Sequence, residues 1–96
     1  MYGYIYETTN VVNKRKYIGQ HHGDFSNKYI GSGSYLHRDI EKYGKDNFNV
    51  ILLEECFSQK DLDFKERLWI ENLRKTYPIE LIYNISDGGQ TRFYLW

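Results

Sequence analysis

Glu66 is the residue whose position most demands a chemical explanation. A helical pattern runs from Ser58 to Tyr77, with Leu62, Trp69, Ile70, Leu73 and Tyr77 on one face. At about 100° per residue, Glu66 falls inside that apolar arc, between Leu73 and Ile70. A charged carboxylate facing a core is costly unless it is hydrogen-bonded, paired with a cation, bound to a metal or protonated. A single carboxylate with open coordination positions suits magnesium, which keeps most of its waters and takes few protein ligands. A structural ion pair with a nearby Lys or Arg would satisfy the same burial, and periodicity alone does not choose between the two.

Tyrosines and histidines form the second group. Tyr6 and Tyr17 lie on two stretches that read as paired strands, and a cross-strand pair of this kind by itself is packing worth about 0.2–1 kcal/mol. His21 and His22 fall in what reads as a glycine-bearing loop after the second stretch. That location suits a proton-transfer group and equally suits a solvated surface pair. With one cysteine and no regular His/Cys spacing, a structural zinc site is not expected.

The elements that must position these groups follow from the patterning. Tyr2–Thr8 alternates and is rich in aromatic and β-branched residues, and Arg15–Gln20 reads as the returning strand of a hairpin. Alternation places Tyr2, Tyr4 and Tyr6 on one face, with Gly3 and Ile5 on the other. Ile5 and Ile18 then suit the buried face, and Tyr6 and Tyr17 meet on the opposite face with hydroxyls outward. Gln20–Ser34 is a loop containing the run Lys28-Tyr29-Ile30-Gly31. Ser34 is expected to cap a helix that stops at Gly44, with Leu36, Ile40 and Tyr43 as its apolar stripe. Val50-Ile51-Leu52-Leu53, within 47–55, reads as a buried strand. Ser58 followed by Asp61 resembles a capping box for the long second helix, which Pro78 ends. A short extended stretch, Leu81–Ile85, closes the fold before the turn at Asp87-Gly88-Gly89. The fold class expected is α+β, a small central three-stranded antiparallel sheet from an N-terminal hairpin plus one later strand, flanked by helices.

Ninety-six residues suit a single domain with a modest core. A hydrophobic content of 41%, with 18% aromatic, indicates a globular rather than disordered chain. Ten tyrosines suit a fold whose core runs into a working surface, because each packs a ring while offering a hydroxyl. The single cysteine, Cys56, excludes an internal disulfide and suggests a reducing interior. No apolar run approaches a membrane span and no signal peptide precedes the first strand, so a cytoplasmic setting is expected.

The ordered residues resemble a known family. Tyr4-Ile5-Tyr6, then Tyr17-Ile18-Gly19, is similar to the paired signature of the GIY-YIG nucleases, with Tyr4 in place of the first glycine and Gly3 one position earlier. Lys28-Tyr29-Ile30-Gly31 is a decoy second motif, too far from Tyr6 for a tight hairpin. Leu36–Gly44 followed by Asn47-Phe48 resembles the family's helix and the approach to its third strand. Glu66-Arg67-Leu68-Trp69-Ile70 resembles the segment bearing its metal-binding glutamate, and Tyr83-Asn84 its late asparagine motif. The resemblance runs from residue 3 to about residue 89. It implies a single catalytic domain over residues 1–96, a homing-endonuclease-like DNA endonuclease that hydrolyses phosphodiester bonds with Mg2+, for which Mn2+ would substitute. Tyr6 and Tyr17 would line the active site, one of them as base or relay. Glu66 would bind the metal, Asn84 would support the site through hydrogen bonds, and Gly19 would leave backbone room beside the scissile phosphate.

One feature departs from the family. Its members usually place an arginine, and a histidine one helical turn later, on a helix soon after the second motif; no arginine occurs here between Tyr17 and Arg38. His21 or His22, with Lys28 or Arg38, would take those roles: His22, Lys28 and Arg38 as catalytic candidates, His21 as a substrate contact. No second acidic residue stands beside Glu66 in the motif, which implies one-metal, single-step hydrolysis by water. Thirteen Lys+Arg balance thirteen Asp+Glu, whereas autonomous DNA binders are usually basic. Affinity would then be borrowed from an appended DNA-binding domain or a homodimer. The rival reading is a non-catalytic nucleic-acid or protein interaction module on the same scaffold; a domain outside the family, stabilised only by its tyrosine-rich sheet, leaves Glu66 unexplained.

Overall fold

The computed structural model describes residues 1–84, so the expectations at Ile85 and at Asp87-Gly88-Gly89 lie outside the described residues. In chain order the elements are β1 (Gly3–Asn10), β2 (Lys16–His22), α1 (Ser34–Tyr43), a 3-10 turn (Lys45–Asn47), β3 (Phe48–Cys56), α2 (Gln59–Thr76) and a second 3-10 turn (Ile79–Leu81). The three strands form one antiparallel sheet in the order β2-β1-β3. This is the α+β architecture expected from the patterning.

Asparagines build the β1–β2 hairpin. Asn10 Oδ1 accepts from Val12 N at 3.0 Å and Asn13 Oδ1 from Arg15 N at 2.9 Å, which holds the backbone in a turn that Lys14 completes at a φ of 69°. As the central strand, β1 is covered on both faces: Tyr4, Ile5, Tyr6 and Thr8 are all essentially inaccessible. Beneath one face lies an aliphatic core of Ile5, Ile18, Cys56, Leu62, Ile70 and Leu73, the last three from α2. Over the other lies a second core of Tyr4, Tyr6, Ile30 and Val50, edged by Tyr17, Tyr29, Ile40 and Phe48. The expected outward tyrosine face is therefore buried. Tyr2 also departs from the alternation: it precedes β1, so the pleat does not bind it, and it packs on the aliphatic side with its hydroxyl donating to Gln59 Oε1.

Three other expectations change. Strand β3 is an edge rather than a buried strand, with Ile51 45% and Leu52 39% exposed. A register shift between Ile5↔Glu54 and Tyr6↔Leu52 makes Leu53 an extra residue, and that bulge lets it pack on the aliphatic core. Helix α1 begins at Ser34 with Gly33 as cap and no side-chain cap bond; its stop at Gly44 is as expected, the Gly44 N–H reaching Ile40 O at 2.9 Å. Within α1, Leu36 and Asp39 are buried, whereas Ile40 and Tyr43 are half-exposed. Asp39 is satisfied by the Tyr83 hydroxyl at 2.7 Å and by Arg15 at 3.5 Å, an anchor tying α1 to the hairpin and to the chain after α2.

Helix α2 follows the sequence reading. Ser58 Oγ accepts from Asp61 N at 3.0 Å, and Asp61 in turn accepts from Phe57 N. Leu81–Ile85 is not a strand in its described part: only Ile82 bridges Lys16, in parallel sense.

Candidate active site

Tyr6 and Tyr17 meet on the face of the sheet turned away from α2, their ring centroids 6.2 Å apart. Across the ladder Tyr6 stands opposite Gly19 and Thr8 opposite Tyr17, so the two rings are diagonal neighbours. A Cβ on Gly19 would collide with the Tyr6 hydroxyl and lie 2.9 Å from Tyr17 Cε2. The room that Gly19 leaves is thus filled by the Tyr6 phenol itself. Gly31, at a φ of +129°, and Gly33 complete the enclosure: Cβ atoms there would lie 2.9 Å and 2.8 Å from the Tyr17 ring. The Tyr17 ring is seated among the bare faces of these glycines.

Burial governs the acidity of these phenols. Loss of water disfavours the phenolate, and this pushes the Tyr6 pKa well above the ordinary tyrosine value, with Tyr17, Tyr29 and the charge of Glu66 adding to it. Tyr17 is raised for the same first reason; a hydrogen bond to Ser32 opposes the rise and Glu66 adds to it. Both are therefore protonated near neutral pH and act as hydrogen-bond donors. A phenolate at either position requires a cation nearby.

Glu66 comes from α2, on the other side of the sheet, and is 8% exposed. Its Oε1 accepts from Gln20 Nε2 at 3.0 Å. On the edge strand β2, Gly19 beneath the Tyr6 hydroxyl and Gln20 bonded to Glu66 are consecutive residues, so the tyrosine side and the α2 side meet at adjacent positions of one strand. The charge of Glu66 acts on both phenols there. The same Gln20 amide donates to Asp63 Oδ1 at 2.9 Å. A second carboxylate one helical turn away, outside the motif that begins at Glu66, thus shares a donor with it. The signal was available as Asp63 and Glu66 at i, i+3 on a helix.

Among the described residues, no group of three or more His, Cys, Asp and Glu assembles into a metal cage. The carboxylate oxygens of Glu66 and Asp63, bridged by the Gln20 amide N–H groups, are nonetheless hard donors of the kind a magnesium ion takes while retaining its own waters, so the residues fit such an ion.

The remaining candidates are distributed unevenly. Strand β2 continues through His22, so the two histidines are strand residues rather than loop residues and point to opposite faces. His21 stands on the tyrosine face, stacked on Tyr29 with centroids 3.9 Å apart. His22 is exposed on the α2 side, edge-on to Tyr2 at 4.3 Å. Lys28 is exposed in the loop before Tyr29. Arg38 lies on Tyr35 and 3.8 Å from Asp39, in the α1 anchor rather than among the tyrosines. Asn84 joins β2 directly: its Nδ2 donates to Ile18 O at 2.7 Å and its Oδ1 accepts from Ile18 N at 2.9 Å. This two-point clamp grips the residue between Tyr17 and Gly19. The reading from sequence passed over Tyr29, which lies edge-on to Tyr6 at 5.7 Å, and His37, whose Nε2 is 2.6 Å from Gly31 O.

Comparison with known proteins places this geometry. Residues 2–78 match the model of the GIY-YIG catalytic domain. The segE protein of Enterobacteria phage T4 is 37% identical over 91 residues, covering 93% of this chain, and endonuclease segA of the same phage is 34% identical over 93 residues, also 93% of this chain. The chain spans about two-fifths of the length of these curated relatives, 43% and 40% respectively. Among solved structures, the catalytic domain of intron endonuclease I-TevI, in a glutamate-to-alanine mutant form, superposes with a TM-score of 0.71 at 25% identity, over 92% of this chain and 97% of that one. Strand order, paired tyrosines and family match agree, and the chain belongs to the GIY-YIG catalytic domain family.

Proposed function

We propose that this chain is the catalytic domain of a DNA endonuclease of the homing-endonuclease kind, hydrolysing phosphodiester bonds with a divalent cation, Mg2+ in the cell and Mn2+ as a substitute. The observation that carries the reading is the meeting on β2 of Glu66, a buried acid bonded to Gln20 from one side of the sheet, with Tyr6 and Tyr17, whose rings lie together over the adjacent Gly19 on the other. Glu66, with Asp63 one helical turn away, would hold the cation. When bound, that ion supplies positive charge to the phosphodiester's developing negative charge and leaving oxygen. The protein's own groups do the rest. Tyr6 and Tyr17 present phenolic protons to the reacting oxygens, and one of them gives up its proton only once positive charge offsets the burial that holds it. Gly19, Gly31 and Gly33 fix the Tyr17 ring, and Asn84 fixes the strand that carries it. His21, stacked beside the tyrosines, is the histidine best placed to contact substrate.

Residues 1–96 would act as one catalytic domain that borrows DNA affinity from an appended binding domain or a second copy, since the chain's net charge is zero. A reducing, cytoplasmic setting suits the buried Cys56, whose thiol burial pushes up to about 11. Among the described residues no helix is long and apolar enough to cross a membrane. Glu66→Ala should abolish magnesium-dependent nicking of a supercoiled plasmid while the circular dichroism spectrum stays unchanged. Nicking at near wild-type rate would defeat the metal assignment. A second reading, a non-catalytic nucleic-acid or protein interaction module, draws on the neutral charge and on the engagement of Arg38 with Asp39. A wild-type chain that binds duplex DNA but does not nick with Mg2+ or Mn2+ would favour it.

A further inference from the structure

Arg67 follows Glu66 on α2, and its charge has no use inside the fold. The residue is half-buried, and its Nε is buried with no acceptor among the described residues. A guanidinium keeps its proton in a protein, so a dry, unmatched N–H of this kind is destabilising. The ordinary remedy lies one turn back. An acid four residues before a base is the order that favours pairing on a helix, and α2 makes such pairs from Asp61 to Lys65 and from Glu71 to Lys75. Asp63 stands in the same relation to Arg67, yet its Oδ1 takes the amides of Gln20 and Gln59, each at 2.9 Å. The amides hold the acid, and the base is left over.

The place of Arg67 follows from its neighbours on the helix. At about 100° per residue, Asp63, Arg67 and Arg74 share one flank of α2. Lys65 and Trp69 lie on the other flank, where both reach Glu54 of β3. The first flank belongs to β2: Asp63 meets Gln20, and Arg74 meets Asn84, which clamps Ile18. Helix and strand run in opposite senses, since Tyr77 at the end of α2 meets Lys16 at the start of β2. Arg67, about 6 Å along the axis from Asp63, therefore stands level with Gly19, between the two contacts. We infer that Arg67 takes a phosphate oxygen of the DNA backbone at this edge, beside the cation site of Glu66 and Asp63; the inference rests on the endonuclease reading above. A guanidinium presents a planar fork of N–H donors that matches phosphate oxygens. The flank is then divided by sign, with Asp63 kept for a cation and Arg67 for an anion. Arg38 is turned to Asp39 and Lys28 stands out in the loop; Arg67 instead adjoins Glu66.

The experiment uses the full chain and Arg67→Met, which keeps an unbranched stem and removes the charge. Plasmid nicking should fall in kcat/KM by at least about ten-fold. The melting temperature should stay level or rise, because the charge has no partner to lose. Full nicking rate, or a rate loss matched by a fall in melting temperature, would overturn the inference. A second measurement needs no cutting. The Arg67 Nε–H resonance, identified by its absence from Arg67→Met, should move when a short DNA duplex is added without divalent cation, while that of Arg38 stays. An unmoved Arg67 signal, or equal movement in both, overturns the phosphate contact. A wild-type chain that nicks under no divalent cation would sink the endonuclease reading instead, and the Arg67 resonance would still decide the contact.

Discussion

The two faces of the sheet are buried to the same degree by different materials. Under α2, the fully buried side chains are aliphatic, Ile5, Ile18, Leu62, Ile70 and Leu73 with the Cys56 thiol, and aromatic rings pack only at their margin. On the opposite face Tyr4, Tyr6, Tyr17 and Tyr29 pack with His21 against glycines and backbone. Aliphatic packing has no direction and depends on area and fit. A buried phenol adds a hydroxyl that must find a partner, so each ring on the second face is fixed in orientation as well as in place. The difference teaches that stability and chemistry are assigned to separate sides of one strand. Glu66, an α2 residue, is the buried acid of the first side, and its charge acts on the phenols of the second.

That division can be broken from either side. The largest effect is expected from Leu62→Ala, which removes an inaccessible side chain from the aliphatic core. It should cost about 2–5 kcal/mol in denaturant unfolding, with near wild-type nicking well below the lowered melting temperature. An equal loss of turnover at low temperature would mean that the two faces are not separable. Gly19→Ala attacks the other face. The new methyl group would collide with the Tyr6 hydroxyl and crowd Tyr17, and displacing reacting groups by about 1 Å typically costs about a hundred-fold in rate. Nicking should fall by that order with DNA affinity retained; a rate near wild type would show that the phenols need no fixed position. The smallest effect concerns alkali. The folded-state pKa values of Tyr4, Tyr6 and Tyr17 are raised, in each case chiefly by burial. The unfolded chain releases those protons near the ordinary tyrosine pKa of about 10, so their contribution to stability is intact below that pH and is lost as pH rises above it. The melting temperature should fall from about pH 10 upward, less steeply in Tyr6→Phe; identical slopes would remove Tyr6 as a cause.

What could be read from the residues depended on how local the cause was. Glu66 was legible because one helical period sets which face a residue takes, and the apolar arc of α2 is long enough to fix the phase. The pairing of Tyr6 with Tyr17 was legible for the same reason, as strand alternation. The burial of that face was not, because alternation separates two sides without saying that both are covered. Ile51 and Leu52 misled in the same way: an apolar run carries no record of its place in the strand order, and β3 came out at the edge. His21 and His22 were separated only by two further ladder pairs, to Tyr4 and Gly3. Tyr29 was beyond reach, since its place follows from the Thr8–Ile30 bond and the Gly31 turn, both set by tertiary contacts.

The glycines around Tyr17 impose an order on how this protein can change by descent. Gly19, Gly31 and Gly33 come from a strand and a loop apart in the chain, yet a Cβ on any of them would crowd the Tyr17 ring, with the Tyr6 phenol closer still at Gly19 and the Leu36 side chain at Gly31. None of them can acquire a side chain while these neighbours keep their size; at Gly33 the Tyr17 ring would have to shrink first, and with it its phenol would go. On the role proposed for Tyr17, intermediates along that route lose activity before they become permissive. Sequence drift in a lineage that still cuts DNA is therefore channelled away from these positions, although none of the three contributes a reactive atom.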